Sequence, residues 1–260
     1  MMPMIERAAP KQGGADARGR CHDCPHRLDR LQTGRCKPGD ACVRAMSGRQ
    51  IERFFRVNPD LAEDYRGDPF WERRAIAARY LSQRRLREML GDPDEVVRRV
   101  LAYRLPVGDL ALLLDDPDRE VRITVADRIA PEHLERLAED ADYLVRQYVA
   151  RRLPPGRLFR MMVDQDREVR KTVAQRLPPE SLMMMARDPD PEVRLVVAER
   201  LPPEQVTVLL DDSDWRVRRL AVDRVPIAHV EARLDDADPD VAATARQRWR
   251  NAHSSRPDTP

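Results

Sequence analysis

All four cysteines of the 260-residue chain lie within 22 residues, as Cys21, Cys24, Cys36 and Cys42 in CHDCPHRLDRLQTGRCKPGDAC. Their spacing is C-x2-C-x11-C-x5-C. A C-x2-C pair lets two thiolates grip one centre, and the later pair completes a tetrahedral set of four. Pro25, Gly34, Pro38 and Gly39 supply the tight turns that such a knuckle needs. Two occupants suit four thiolates: zinc, which would make the segment a structural stub, and an iron–sulfur cluster, which would bring redox chemistry. Spacing alone does not separate them. Eight basic side chains against three acids between residues 18 and 49 would offset the negative charge of either. His22 and His26 are expected as neighbours, because four cysteines already complete the shell. Radical-generating iron–sulfur enzymes use C-x3-C-x2-C and leave one iron open. That motif is missing here, so electron transfer, sensing or a structural role is expected over substrate chemistry.

Nothing else in the chain assembles a catalytic set. The five histidines, His22, His26, His133, His229 and His253, have no nucleophile in company, and no phosphate-cradling glycine loop occurs. No enzyme is expected. The 47 basic and 45 acidic residues leave a net charge of only +2, which argues against a general binder of nucleic acid or anionic membranes. Only three basic residues are lysines: Lys11, Lys37 and Lys171. Arginine suits planar carboxylate pairing, but a GC-rich genome produces the same bias and is the weightier explanation. No apolar stretch approaches the ~18 residues of a membrane span. The start, MMPMIERAAPKQGGADARGR, lacks the apolar core of a secretory signal. A cytoplasmic location is expected, where thiols stay reduced.

The elements that must carry the cysteine segment are repeats. Steps of 24 from Asp68 give Asp92, Asp116, Asp140, Asp164, Asp188, Asp212 and Asp236. Steps of 24 from Arg74 give Arg98, Arg122, Arg146, Arg170, Arg194 and Arg218, failing at Ala242. A third series runs Arg104, Arg128, Arg152, Arg176, Arg200, Arg224 and Arg248. Self-similarity at a short fixed period marks a solenoid, in which each unit packs on its neighbours. In the repeat DPDPEVRLVVAERLPPEQVTVLLD, Asp190 is a natural N-cap and Pro191 and Glu192 suit the first turn. Val193, Val196, Val197 and Leu201 form one buried face, Pro202-Pro203 stops the helix, and Val206, Leu209 and Leu210 line a shorter second piece. A unit of 24 residues is too short for two full helices, so one helix and one tight 3₁₀ turn are predicted. Rows of aspartate beside rows of arginine are expected to form ion pairs and caps that fix the stacking register, with an anion-binding groove as the lesser alternative. Ile51, Phe54, Phe55 and Tyr65 are predicted core, sealing the cysteine segment against the first repeat. Met161, Met162, Met183, Met184 and Met185 are expected chiefly as core filling, with a partner surface as the alternative. The final repeat, with Ala242 and Trp249, looks like a cap.

The D-x-D-x-E-V-R-x-x-V-A-x-R-L-P-P-E-x-L unit and the four-cysteine segment before it resemble the leucine-rich repeat variant family. That resemblance implies an all-α, right-handed superhelical solenoid of alternating α- and 3₁₀-helices. It also implies a [4Fe-4S] cluster on Cys21, Cys24, Cys36 and Cys42, with zinc as the alternative occupant. Members occur in nitrogen-fixing bacteria. The expected layout is a leader at 1–20, the cysteine module and connecting helix at 21–66, about eight repeats over 67–250 and a polar tail at 251–260. The leading functional expectation is a docking scaffold for a protein partner, with an electron-transfer or redox-sensing cluster. A scaffold with a purely structural metal site and a nucleic-acid-binding solenoid are the alternatives.

Overall fold

The structure is a computed structural model that describes residues 19–254, so most of the expected leader and the end of the expected tail lie outside the described residues. Residues 251–254 are not tail but the end of the helix Pro239–Ser254. The chain divides into two compact units, Met1–Leu113 and Leu114–Pro260. The first holds the cysteine segment and the repeats that begin at Asp68 and Asp92. The second holds the repeats that begin at Asp116, Asp140, Asp164, Asp188, Asp212 and Asp236. Among the described residues the elements are helical throughout, with one isolated antiparallel bridge between Lys37 and Ala41.

Most repeats fold as predicted, one α-helix followed by a tighter piece. The repeat at Asp116 opens its second piece with the short α-helix Pro131–Leu134, and the repeat at Asp236 is the single long helix Pro239–Ser254. In the second unit the α-helices Arg119–Arg128, Tyr143–Arg152, Arg167–Arg176, Pro191–Arg200 and Trp215–Arg224 are ten residues each. The 3₁₀ segments include Pro155–Val163, Pro179–Met185 and Val206–Leu209. Two local signals set these bounds. Asp118, Asp142, Asp166, Asp190 and Asp214 each accept a hydrogen bond from a first-turn N–H, satisfying donors that have no partner within the helix. At the other end the residue before proline is pushed out of the helical region, so Leu153, Leu177 and Leu201 have ψ of 142°, 145° and 145°. The first repeat departs from this alternation: its second piece, Gln83–Glu88, is a short α-helix. Ser82 and Gln83 stand where other repeats have prolines, and the Leu86 N–H reaches the Ser82 carbonyl at 3.1 Å to close an α-turn.

The core is one stripe per repeat. Val145, Val149, Leu153 and Leu158 are fully or almost fully buried, and so are their counterparts Val169, Val173, Leu177 and Leu182. The methionines divide: Met161 and Met185 fill the core, whereas Met183 and Met184 are exposed.

What holds repeat to repeat is a fork. Arg170 donates from Nε and Nη2 to the two carboxylate oxygens of Asp188 in the next repeat, at 2.8 and 3.0 Å, and from Nη1 to the Asp164 carbonyl at 2.8 Å. Asp188 in turn accepts the Asp190 N–H at 2.9 Å. The same geometry joins Arg122 to Asp140, Arg146 to Asp164, Arg194 to Asp212 and Arg218 to Asp236, and, in the first unit, Arg74 to Asp92. The other arginine series points backward. Arg176 Nη1 donates to the carbonyls of Ala150 and Leu153 in the preceding repeat at 2.7 and 2.6 Å, closing the end of that helix. Arg200, Arg224 and Arg248 do likewise. Genome composition is thus an incomplete account of these arginines. The forward fork uses three donor nitrogens in one plane, which lysine does not possess.

These nearly buried forks predict an uneven response to mutation. Arg170→Met strands Asp188 and is expected to cost about 3 kcal/mol in urea unfolding. Arg167→Met, which removes an exposed pair 3.5 Å from Asp190, is expected to change stability little. The pH dependence follows from Asp236, whose pKa is lowered chiefly by the hydrogen bond from Arg218. A carboxylate held low contributes stability that is complete above the ordinary carboxylate range and lost as pH falls through its lowered value. Thermal stability should hold from neutrality to about pH 5 and decline below about pH 4. Arg218→Met should shrink that decline, read as a smaller difference in Tm between about pH 5 and about pH 3.

Candidate functional site

The cysteine segment is built on turns and anchored by an aromatic core. A short helix Gly19–His22 leads into a π-turn Arg27–Leu31. Gly34 and Gly39 then have φ of 73° and 85°, the left-handed region that glycine adopts without strain. The helix Gly48–Val57 follows, with Ile51, Phe54 and Phe55 fully buried, and the 3₁₀ segment Pro59–Tyr65 closes the module. His26 is buried beneath the turns. Its Nε2 lies 2.7 Å from the Tyr65 hydroxyl and its ring centroid 5.4 Å from that of Phe54. Burial holds the His26 pKa below its ordinary value, so the ring sits there neutral. His22 is exposed beside Asp23. His26 thus spends Nε2 on Tyr65, and His22 its Nδ1 on Asp23.

None of the four cysteines is in a disulfide. Cys36 and Cys42 are buried, whereas Cys21 and Cys24 are half-buried. Backbone hydrogen bonds fix them locally: Cys24 N–H to the Cys21 carbonyl, Cys36 N–H to the Arg30 carbonyl and Cys42 N–H to the Gln50 carbonyl, at 3.3, 3.0 and 3.1 Å. The thiols share one electrostatic neighbourhood. Burial, then the nearby Cys42, Cys24 and Cys21, push the Cys36 thiol up to about 12. Burial, Cys42 and Cys24 raise Cys21, with Arg27 acting the other way. Among the described residues no three His, Cys, Asp or Glu side chains stand close enough to cage a single metal ion. The donor set nonetheless suits a soft metal centre. It consists of four thiols within mutual influence, partly withdrawn from water, and such thiols lose their protons when they ligate.

Three residues that position this segment were assigned no such role from sequence. Asn58, fully buried, donates from Nδ2 to the carbonyls of Arg35 and Phe54, both at 2.9 Å, tying the cysteine loop to the helix beneath it. An Asn-Pro pair ending an apolar helix is the signal that could have flagged it. Tyr80 donates its hydroxyl to Glu52 at 2.7 Å and stacks its ring on Phe55 at 6.1 Å. Glu52 also accepts from Arg79 at 2.9 Å. These contacts join the cysteine module to the first repeat. The arginine rows supply no competing site: the forward guanidiniums spend their donors on carboxylates and carbonyls, so the ladder is scaffold rather than an anion groove.

Comparison with known proteins agrees with this arrangement. The family described as LRV protein FeS4 cluster matches residues 16–64, and the family described as leucine rich repeat variant matches 143–166 and 167–190. A solved structure titled a leucine-rich repeat variant with a novel repetitive protein structural motif is 56% identical, with a TM-score of 0.83. The match covers 88% of this chain and 97% of that one. A Rhodobacter capsulatus protein, described as an uncharacterized 27.7 kDa protein in the nifB 3' region, is 42% identical over 69 residues. That stretch spans 26% of this chain and 28% of the relative's length.

Because Tyr80 and Glu52 clasp the module onto its repeat, Tyr80→Ala is expected to speed amide hydrogen exchange across residues 48–57 and leave the repeats beyond residue 114 unchanged. Equal protection over residues 48–57 in both proteins would show that the clasp is idle.

Proposed function

Because the chain belongs to the leucine-rich repeat variant family, we propose that it is an iron–sulfur repeat protein in which Cys21, Cys24, Cys36 and Cys42 hold a [4Fe-4S] cluster. Its repeats dock a protein partner, and its role is electron transfer or redox sensing without catalysis of its own. The observation that carries this reading is the unequal exposure of the thiols. Cys36 and Cys42 hold from the buried side, while Cys21 and Cys24 form a half-exposed rim. A rim of that kind leaves a bound centre within reach of a partner's surface, whereas a purely structural centre gains nothing from it. When bound, such a cluster supplies one-electron transfer. The chain's own residues do the rest. Arg27 partly offsets the burial that raises the Cys21 thiol, and the buried His26 is held by Tyr65 and Phe54. A reducing compartment such as the cytoplasm keeps these thiols available. The relative described by its place near nifB supports a setting in nitrogen fixation.

A second reading, a structural metal site of iron–sulfur or zinc type, draws on the way Phe55, Tyr80 and Glu52 join the module to the repeats. A centre there would staple the end of the array. Anaerobic purification followed by visible absorption and electron paramagnetic resonance, before and after dithionite, separates the two. A brown protein whose absorption near ~400 nm bleaches and returns on reoxidation is expected. A cluster that dithionite leaves unchanged, or a colourless protein with one bound zinc, overturns the redox role.

A further inference from the structure

The second unit carries an apolar patch that its core does not use. In the 3₁₀ segments, equivalent outward positions of consecutive repeats hold Phe159 and Arg160, then Met183 and Met184, then Thr207 and Val208. Phe159 is 44% exposed, Met184 57% and Val208 53%, and the nearby Val163 is 85% exposed. The same positions in the flanking repeats hold Glu135 with Arg136 and Glu231 with Ala232, so the patch is three repeats wide. Three arginines stand beside it. Arg157 pairs with Glu135 at 3.3 Å, but Arg160 and Arg187 are exposed and make no ion pair among the described residues. Beside Phe159 opens a groove of about 340 Å³, lined also by Ala138, Leu153, Met161 and Arg160 and by three carboxylates. Asp164 and Glu135 are paired with Arg146 and Arg157, and Glu139 makes no ion pair among the described residues.

We infer that this face docks an acidic amphipathic helix of a partner protein. The inference deepens the docking role proposed above and rests on it. Contiguous exposed apolar side chains mark interaction sites, and methionine adapts to the helix it receives. Unpaired arginines at the border select acidic flanks and repel basic ones. The spacing fits a helix. Packed neighbouring helices stand about 8–10 Å apart, and seven residues of α-helix rise about 10.5 Å. A helix lying along the stack therefore presents one apolar side chain per repeat at i, i+7 and i+14. Its acidic neighbours meet Arg160 and Arg187, and the groove beside Phe159 receives a large anchor side chain.

The test uses the full-length, cluster-loaded protein and a fluorescent peptide of about 18 residues, long enough for a marginal helix. The peptide carries Leu along one face and Glu elsewhere, and its counterpart carries Lys in place of Glu. Anisotropy is expected to give about tenfold tighter binding of the acidic peptide, weakening with salt. Phe159→Ser with Met184→Ser should weaken it about tenfold, and Arg160→Glu with Arg187→Glu should reverse the preference. These side chains are exposed, so circular dichroism and cluster absorption should match wild type. Equal binding of both peptides, binding that survives both double substitutions, equal binding of a proline-broken acidic peptide, or displacement by duplex DNA at equal charge each overturns the inference. Absorption reads the cluster separately: a loaded protein that ignores the peptide overturns the docking helix alone, and a clusterless protein that binds it overturns the redox reading alone.

Discussion

A guanidinium clamped on a carboxylate in the next repeat is the constraint on which each unit depends. The Arg170 side chain is 11% exposed and that of Asp188 4%, so both charges have left most of their water behind. Burying an ion pair rarely adds stability over a well-packed apolar pair, yet leaving one member unpaired is costly. The fork therefore acts chiefly on specificity. A repeat displaced by one helical turn would bury an arginine without its aspartate. The apolar stripe alone offers no such penalty, because Val169 and Val173 would pack nearly as well against a displaced neighbour.

The two ends obey the same rule from opposite sides. A repeat with neighbours on both sides needs an arginine that reaches forward and another that reaches back. The repeat at Asp236 keeps the backward residue, Arg248, which caps the Val225 carbonyl at 2.8 Å, and has buried Ala242 where the forward one stands elsewhere. The repeat at Asp68 keeps the forward residue, Arg74, and has Tyr80 at the backward position. Tyr80 meets Glu52 on the helix Gly48–Val57 instead of a helix-terminal carbonyl. Thus the cysteine module takes the place of a preceding repeat, and it is recognised through a hydroxyl and a ring rather than through a guanidinium.

Function is divided in the same spirit. Rigid repeats leave their outward positions nearly free of structural duty, so Phe159, Met184 and Val208 can vary without disturbing the stripe behind them. The cysteine segment is the opposite case. Its glycine turns, the His26–Tyr65 contact and the Asn58 bonds to two carbonyls hold a loop that has little regular structure of its own. A soft metal centre would complete it, which couples the order of this loop to its occupant.

Most of the architecture was legible in sequence because it depends on local, periodic causes. The 24-residue period, the Asp190-type caps and the leucine–proline stops act over a few residues and leave their mark in residue types at fixed phase. The cysteine spacing likewise raised the expectation of a four-thiol site, and the repeat motif announced its family. The direction of each arginine was not legible, since a residue 18 positions from its aspartate in sequence meets it only once the repeats stack. The period does separate Met161 and Met185, which stand 24 residues apart in register with the buried Leu137 and Leu209, from Met183 and Met184, which face water. The first repeat's short α-helix and the Tyr80–Glu52 clasp were decided by packing between elements distant in sequence. Local chemistry set the elements, and only tertiary structure could set which charges, rings and thiols share one space.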